Sequence, residues 1–273
     1  MKFTLTPKQI ADAAHMLKQA ETSGQQCALV SLQHPNMTLD DAYAVQAVFV
    51  DLKRLDGVEE IGWKIGLTSR AMQMALNITT PDSGVLLSDM LFQTGDTVPA
   101  GRFIEPRIEA EIAFIMGVDL FGADVTRADV ITATEAVAPS LEILDTRILR
   151  KDPASGTPRV IFDTVSDNAA NAGVVLGTQR HRLDTESAAA LRTVGAIVKR
   201  DGVVEETGLG AGVLDDPVNG IVWLVQRLAQ YDHGLKAGDI VLSGSFIRPI
   251  EAPSGSWFEA DFGDFGRVDL AFD

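Results

Sequence analysis

From Ile61 to the end of the chain, short apolar runs alternate with segments that contain glycine or proline. This pattern is typical of β-strands joined by turns, with a few helices inserted between them. Because helices of crossover length do not alternate strictly with these runs, a doubly wound parallel sheet is disfavoured. The sequence therefore predicts an α+β fold with a mixed or antiparallel, β-rich body.

The apolar alternation sets the bounds of the predicted strands, and helical periodicity sets those of the inserted helices. The predicted strands are Glu60–Leu67, Ile108–Met116, Ala138–Asp145, Leu191–Lys199, Val203–Thr207, Ile240–Phe246, Trp257–Phe262 and Val268–Phe272. The predicted helices are Ser69–Leu76, Thr126–Val137 and Pro217–Tyr231. Asp201-Gly202 stands between two of the strands and predicts a hairpin there.

The N-terminal part of the chain has a helical pattern instead. Thr6 followed by Pro7 is typical of a helix start, and apolar residues recur after it at helical spacing. Thr38, with Asp41 three residues later, begins a second predicted helix that ends at Gly57. These patterns predict a helical portion over residues 1–60 and a β-rich domain over residues 61–273.

The charge of the chain excludes some classes of partner. There are 38 acidic and 23 basic residues, a net charge of −15 at pH 7. Nucleic acids and anionic lipid surfaces attract cationic proteins, so we expect neither as a partner. No run approaches the about 20 apolar residues of a membrane-spanning helix, and the N-terminus lacks the apolar core of a signal peptide. We therefore expect a cytoplasmic protein.

Two carboxylates of one predicted strand are expected to share a face. Glu109 and Glu111 are separated by one residue, so the period of two places their Cα atoms about 6–7 Å apart on the same side. Both side chains can then converge on one cation, and without a cation they repel each other. The commoner alternative is a strand with one solvated face, where Glu-x-Glu is ordinary.

A third glutamate lies in an otherwise apolar run. Glu142 interrupts Ala138–Asp145, and a buried lone carboxylate normally needs a partner or a metal. Three carboxylates suit Mg²⁺ or Mn²⁺, which prefer oxygen ligands. The single Cys27 and the scattered histidines argue against zinc. The alternative for Glu142 is a strand residue that faces solvent.

Other polar positions allow both a functional and a structural interpretation. Lys64 lies in an apolar, glycine-flanked run, where its charged form is disfavoured and it can carry a proton; alternatively it is an edge-strand lysine reaching solvent. Asp82 lies in Thr80-Pro-Asp-Ser-Gly84, which is ordinary turn chemistry. The small polar residues of Phe162–Gly173 indicate a turn or a substrate-contact loop.

Five separated motifs, in this order along the chain, resemble those of one known family: Gly62–Ser69, Pro106–Phe114, Leu141–Asp145, Phe162–Gly173 and Gly208–Leu214. The family is the hydratase/decarboxylase family of meta-cleavage pathways, part of the fumarylacetoacetase superfamily, and the resemblance covers nearly the whole chain. It implies the mixed, β-rich fold of the fumarylacetoacetase C-terminal domain, preceded by a helical portion. It also implies a homo-oligomer.

The resemblance further implies a metal-dependent enzyme of aromatic catabolism. Glu109, Glu111 and Glu142 would hold Mg²⁺ or Mn²⁺, with Lys64 and Asp82 as acid/base and orienting residues. The substrate would be a small 2-hydroxy-2,4-dienoate or its 2-oxo tautomer, bearing a second carboxylate, to which water is added. That second carboxylate needs a cationic partner, and the arginines near the motifs are Arg107, Arg147, Arg159 and Arg248.

Three other functions stay open from the sequence. A sister decarboxylase of the same family would use the same metal and release CO₂. A hydrolase of carbon–carbon bonds would need a water-activating His/Glu pair, which the scattered histidines do not suggest. A non-catalytic partner subunit of a pathway complex belongs to another class, and the intact carboxylate trio speaks against it.

Overall fold

The computed structural model describes residues 3–70, 73–74 and 80–273. The helices in these ranges are α1 (Pro7–Ser23), α2 (Val30–Gln33), α3 (Leu39–Leu55), α4 (Arg127–Ala133), α5 (Ile161–Ser166), α6 (Thr185–Ala190) and α7 (Pro217–Ala229). The strands are β1 (Glu60–Gly66), β2 (Asp82–Leu87), β3 (Leu91–Gln93), β4 (Thr97–Val98), β5 (Arg107–Met116), β6 (Thr134–Leu144), β7 (Asn171–Leu176), β8 (Gly195–Arg200), β9 (Val203–Leu209), β10 (Ile240–Leu242), β11 (Ile250–Glu251), β12 (Trp257–Asp261) and β13 (Arg267–Phe272).

The strands form two mixed sheets. The central sheet has the order β2-β1-β10-β5-β6-β7-β3, and β11 pairs with the start of β5. The second sheet has the order β4-β13-β12-β8-β9. Most pairs are antiparallel, while β1 with β10, β3 with β7 and β4 with β13 are parallel. The expectation of an α+β, β-rich fold is therefore confirmed.

The largest apolar cluster joins the two sheets and α7. It contains Ile112 and Phe114 of β5, Phe258 of β12 and Leu224 of α7, all buried. Side chains of a strand alternate between its faces, so this cluster takes one face of β5. The opposite face of β5 carries the odd-numbered residues, among them Glu109 and Glu111.

The two N-terminal helices begin where the sequence predicts. The Thr6 side chain accepts a hydrogen bond from the backbone N–H of Gln9, and that of Thr38 accepts one from Asp41. Their apolar faces form a second cluster together with Ile148 and Val165, which belong to the β-rich part of the chain. The division at residue 60 stays a prediction, and the cluster shows that the two parts share buried surface. Among the described residues, no helix has the length and apolarity to cross a membrane.

Four of the predicted elements are wrong in extent, and one of them is the strand expected over Ala138–Asp145, which begins at Thr134. The helix expected over Thr126–Val137 ends at Ala133, because the following residues begin β6 and pair with β5. The strand expected over Leu191–Lys199 begins at Gly195, after a 3₁₀ turn. The strand expected over Ile240–Phe246 ends at Leu242, and Gly244 has a positive φ of 116°. Half of the helix predicted over Ser69–Leu76 lies outside the described residues.

Candidate active site

The pairing of β5 with β6 brings three glutamates together. These strands are antiparallel, with Glu109 opposite Glu142 and Glu111 opposite Ser140. Residues directly opposite in an antiparallel pair project from the same face. One carboxylate oxygen from each of Glu109, Glu111 and Glu142 lies within 4.8 Å of the other two. The cluster expected from the sequence is therefore present as a group of converging side chains.

Burial separates the two interpretations of these glutamates. Glu111 and Glu142 are both fully buried, so neither lies on a solvated strand face. Glu111 Oε1 and Glu142 Oε2 have no hydrogen-bond partner among the described residues. Burial raises the pKa of Glu109 and Glu111, and the negative charge of Glu142 raises both further. Buried like charges with free oxygen atoms are unfavourable unless a cation lies among them.

Lys64 projects into the same cluster from the neighbouring part of the sheet. Its strand, β1, lies between β2 and β10, so Lys64 is not on a sheet edge. The side chain is buried, and its Nζ lies 3.1 Å from Glu142 Oε1. Burial by itself would lower the pKa of Lys64, but the charges of Glu142 and Asp82 outweigh burial and raise it. The sequence predicts the opposite direction, because the acids that surround the ammonium come from other strands.

Asp82 lies in a strand and not in the turn that Pro-Asp-Ser-Gly predicts. It is the first residue of β2, it is buried, and it pairs with Gly66 of β1. A Cβ atom at Gly66 would lie 2.2 Å from Asp82 Oδ1 and 3.2 Å from Lys64 Nζ, so both side chains lie over this glycine. The turn prediction is wrong because pairing with β1 outweighs the local turn preference.

The backbone near the end of β10 completes the cluster. The N–H of Gly244 donates a hydrogen bond of 2.7 Å to Glu111 Oε2. A Cβ atom at Gly244 would lie 2.3 Å from Thr68 Oγ1, so a larger residue could not approach Glu111 in this way. The backbone after β10 thus approaches a glutamate closely.

The segment Phe162–Gly173 is neither a simple turn nor an open loop. It contains α5, three successive residues with φ between 51° and 57° (Asn168, Ala169 and Ala170), and the start of β7. The side chain of Asn168 accepts a hydrogen bond from Val85 N–H and donates one to Val85 C=O. This segment therefore holds β2, the strand that carries Asp82.

Two residues of α3 hold the same strand and were not singled out as site residues from the sequence. The hydroxyl of Tyr43 accepts a hydrogen bond from Ser83 N–H, and Gln46 Nε2 donates one to Ser83 C=O at 2.9 Å. Tyr43 and Gln46 are three residues apart and therefore share a helix face. Polar residues at this spacing on the face that packs inward are the signal that could have identified them.

Comparison with known proteins gives relatives over nearly the whole chain. The chain is 48% identical over 259 residues to the 2-oxo-hept-4-ene-1,7-dioate hydratase of Escherichia coli, covering 95% of this chain and 96% of that protein. It is 35% identical to the 2-keto-4-pentenoate hydratase of Paraburkholderia xenovorans (strain LB400), covering 98% and 97%. No protein-family model matches the chain.

Two solved structures of enzymes have a fold similar to that of this chain. The 4-oxalocrotonate decarboxylase of Pseudomonas putida G7, complexed with magnesium and adipate, superposes with a TM-score of 0.91 at 29% identity and full coverage of both chains. The fumarylpyruvate hydrolase of Pseudomonas aeruginosa, in complex with Mn²⁺ and pyruvate, shares the fold, with a TM-score of 0.55 at 14% identity over 77% of this chain and 88% of that one. From the sequence likenesses, the chain belongs to the hydratase/decarboxylase family of meta-cleavage pathways, and it shares its fold with the fumarylpyruvate hydrolase.

Proposed function

We propose that the chain is a metal-dependent hydratase that adds water to 2-oxohept-4-ene-1,7-dioate, giving 4-hydroxy-2-oxoheptanedioate in aromatic catabolism. The observation that carries this proposal is the convergence of Glu109, Glu111 and Glu142, the last two of them buried, beside Lys64 and Asp82. The 48% identity to a hydratase of that substrate supports the choice of reaction and of carbon chain.

The residues of the trio fit a divalent cation. They offer only oxygen atoms, two of which, Glu111 Oε1 and Glu142 Oε2, have no partner among the described residues. Oxygen-only donor sets suit hard cations such as Mg²⁺ and Mn²⁺, and the magnesium in the decarboxylase structure supports the same choice. When bound, such a cation supplies Lewis-acid polarisation of the 2-oxo group and the adjacent carboxylate.

Lys64 and Asp82 are the groups that we assign to proton transfer. Moving a proton from C3 of the substrate to C5 shifts the double bond from C4–C5 to C3–C4, which conjugates it with the 2-oxo group. Water then adds its oxygen atom to C4, and a proton is delivered to C3. The ammonium of Lys64 holds a proton within this site, and the free Oδ1 of Asp82 can accept one.

A decarboxylase is the second candidate. The structural likeness to 4-oxalocrotonate decarboxylase favours it, because the two chains superpose over their full length. The hydratase is preferred because the more similar sequence relatives are hydratases. A non-catalytic subunit would have no need of a buried carboxylate cluster, which is costly to maintain. The homo-oligomeric assembly and the cytoplasmic location stay predictions.

Product analysis separates these functions. The purified chain with Mg²⁺ is supplied with 2-hydroxyhepta-2,4-dienedioate and, separately, with 2-oxohex-3-enedioate, and products are identified by NMR. We expect a 4-hydroxy-2-oxo diacid from the seven-carbon substrate, and no turnover after EDTA treatment until Mg²⁺ is restored. Release of CO₂ from the six-carbon substrate without hydration of the other would favour the decarboxylase. No turnover of either would contradict both enzymatic functions.

A further inference from the structure

Among the described residues, Arg147 is the largest side chain that is fully buried. It follows the end of β6, and its Nε forms an ion pair with the carboxylate of Asp167. Its Nη2 donates hydrogen bonds to two backbone carbonyls, that of Asp167 at 2.9 Å and that of Asn171 at 3.0 Å. Because a guanidinium is planar and its donors form a rigid fork, this one side chain fixes the separation of the two carbonyls.

The two carbonyls stand on either side of a left-handed turn, which consists of Asn168, Ala169 and Ala170. All three residues have φ between 51° and 57°. This region is unfavourable for residues other than glycine, and it persists only where the surroundings enforce it. Arg147 binds the residue before the turn and the residue after it, so its guanidinium stabilises the left-handed turn.

The left-handed turn packs directly on β2. A Cβ atom at Gly84 would lie 2.4 Å from the backbone oxygen of Asn168, so the turn contacts the strand at this glycine. Gly84 lies opposite Lys64 in the register of β2 with β1 and is two residues from Asp82, so all three positions share one face of the sheet. A displacement of the turn therefore displaces β2 at the point where it faces Lys64.

Arg147 is itself held by the N-terminal helices. Its Nη1 lies 3.7 Å from Glu21 Oε1 of α1, and its Cζ lies 5.5 Å from the centre of the Phe49 ring of α3. Glu21 also binds the buried Lys53, whose Nζ is 3.1 Å from Asp89 Oδ2, just beyond the end of β2. One chain of alternating charges thus connects Arg147 to the far end of the same strand.

We propose that Arg147 is a positioning residue for proton transfer. Through the left-handed turn it fixes β2 against β1, and it thereby keeps Asp82 and Lys64 in the geometry that the reaction needs. Arg147 acts through the turn and not by contact with the substrate. The inference rests on the proposed function only in assigning Asp82 and Lys64 to catalysis.

Hydrogen exchange of the purified protein, measured by mass spectrometry, tests the effect on β2 without any substrate. Arg147→Lys keeps the positive charge beside Asp167 but loses the fork that spans the turn. We expect the amides of Asp82–Leu87 to exchange about 10-fold faster, while those of β13 in the second sheet keep their wild-type rates. Arg200→Lys is the matched control, because Arg200 pairs with Glu205 at 2.6 Å in the second sheet, and it should leave β2 unchanged.

A rescue separates positioning from a general loss of stability. Glycine accepts a positive φ without strain, so Ala169→Gly makes the left-handed turn less dependent on Arg147. Adding Ala169→Gly to Arg147→Lys should restore part of the protection of β2. If Arg147→Lys does not fold alone, the double variant is compared with Ala169→Gly. Wild-type exchange in β2, or an equal increase in both sheets, would overturn the proposal.

Kinetics at a temperature where every variant is folded test the consequence for catalysis. Arg147→Lys should lower kcat for 2-hydroxyhepta-2,4-dienedioate about 10- to 100-fold, with KM and Mg²⁺ affinity kept, because misplaced groups slow the chemical step. Ala169→Gly should restore part of kcat. An unchanged kcat in a variant whose β2 exchanges faster would overturn the positioning role. If the wild type does not turn over this substrate, the proposed function fails, and the exchange results still decide whether Arg147 fixes β2.

Discussion

The ammonium of Lys64 stays protonated because of the acids around it. Glu142 Oε1 is 3.1 Å away, and the charges of Glu142 and Asp82 oppose the effect of burial on the pKa. Each of these acids belongs to a different strand, so the lysine links β1, β2 and β6 electrostatically. A divalent cation among the glutamates would offset their charge and make the proton on Lys64 easier to release.

Lys64→Met, which introduces a side chain of similar length, tests whether Lys64 transfers a proton in the reaction. We expect kcat to fall about 10²- to 10⁴-fold, the range for loss of a general acid or base, while Mg²⁺ affinity is kept. Lys199→Met is the matched control, because Lys199 forms an ion pair with Glu259 in the second sheet, 2.8 Å away. Steady-state kinetics and calorimetric Mg²⁺ titration check both expectations. An unchanged kcat in Lys64→Met would remove the lysine from the mechanism.

Glu111→Gln tests, through its effect on thermal stability, whether Glu109, Glu111 and Glu142 bind a metal ion. Removing one buried charge relieves repulsion with Glu109 and Glu142, so we expect the metal-free Tm to rise by about 2–4 °C, equivalent to about 1 kcal/mol. The rise in Tm that Mg²⁺ produces in the wild type should be lost. Thermal scans with Mg²⁺ and with EDTA measure both quantities.

Glu135→Gln is the control for this substitution, because Glu135 is exposed on β6, the strand that also carries Glu142. It should respond to Mg²⁺ as the wild type does. A wild-type response to Mg²⁺ in Glu111→Gln itself would show that Glu111 does not hold the cation.

At the scale of elements, the strand that carries Asp82 is held from two sides. Tyr43 and Gln46 of α3 bind the backbone of Ser83, and Asn168 binds both backbone groups of Val85. The turn that presents Asn168 has left-handed residues that cost about 1–2 kcal/mol each. Such a conformation persists only where contacts compensate for it, and the two hydrogen bonds between Asn168 and Val85 are contacts of this kind.

The start of α3 depends on one buried carboxylate. Asp41 accepts hydrogen bonds from the backbone N–H groups of Thr4, Leu5 and Thr38 and from two threonine hydroxyls. Burial alone would raise the pKa of Asp41, but these bonds outweigh it and lower the pKa from 3.8 to about 2. Asp41 therefore joins the N-terminus of the chain to the beginning of α3.

Asp41→Asn should destabilise the protein by about 2 kcal/mol at pH 7, the value of a shift of this size. A carboxylate with a lowered pKa stabilises the folded state above its unfolded pKa, near pH 4, and this contribution is lost as the pH falls towards 2. Urea unfolding of variant and wild type should therefore differ most at neutral pH, and the difference should vanish only as the pH falls through about 2. The exposed Asp12→Asn on α1 is the control, and an equal effect of both substitutions would contradict the prediction.

At the scale of the molecule, the N-terminal helices and the β-rich part share a core. Ile148 and Val165 pack in the same apolar cluster as Leu17 and Phe49 of the helices. Tyr231, at the end of α7, also donates a hydrogen bond to Asp40 of α3. Shared buried surface couples the stability of the two parts. We therefore expect a sequence boundary near residue 60 without independent folding on either side of it.

Unfolding in urea tests this coupling. The tryptophans, Trp63, Trp223 and Trp257, all lie beyond residue 60, whereas α1 and α3 contribute much of the helical signal. We expect fluorescence and circular dichroism at 222 nm to give the same midpoint. Separate midpoints would show two independently folding domains, and Leu17→Ala should shift both signals together if the core is shared.

The local sequence determined those structural elements that depend only on residues a few positions apart in the chain. The helix caps at Thr6 and Thr38, and the placement of Glu109 and Glu111 on one strand face, follow from residues within a few positions, so they could be predicted. The end of the helix at Ala133 could not be predicted, because the residues that follow it pair with β5 and form β6. The β-rich class also follows from local patterns, whereas the roles of the five candidate site residues were implied by the family resemblance and stay predictions.

Only the tertiary structure decided how these residues meet. The register of β5 and β6 sets Glu142 opposite Glu109, and pairing with β1 turns the Asp82 segment from a predicted turn into a strand. The direction of the Lys64 pKa likewise depends on which acids other strands bring close. The physical reason is that strand register and charge neighbours join residues far apart in the chain, while propensities act only over a few positions.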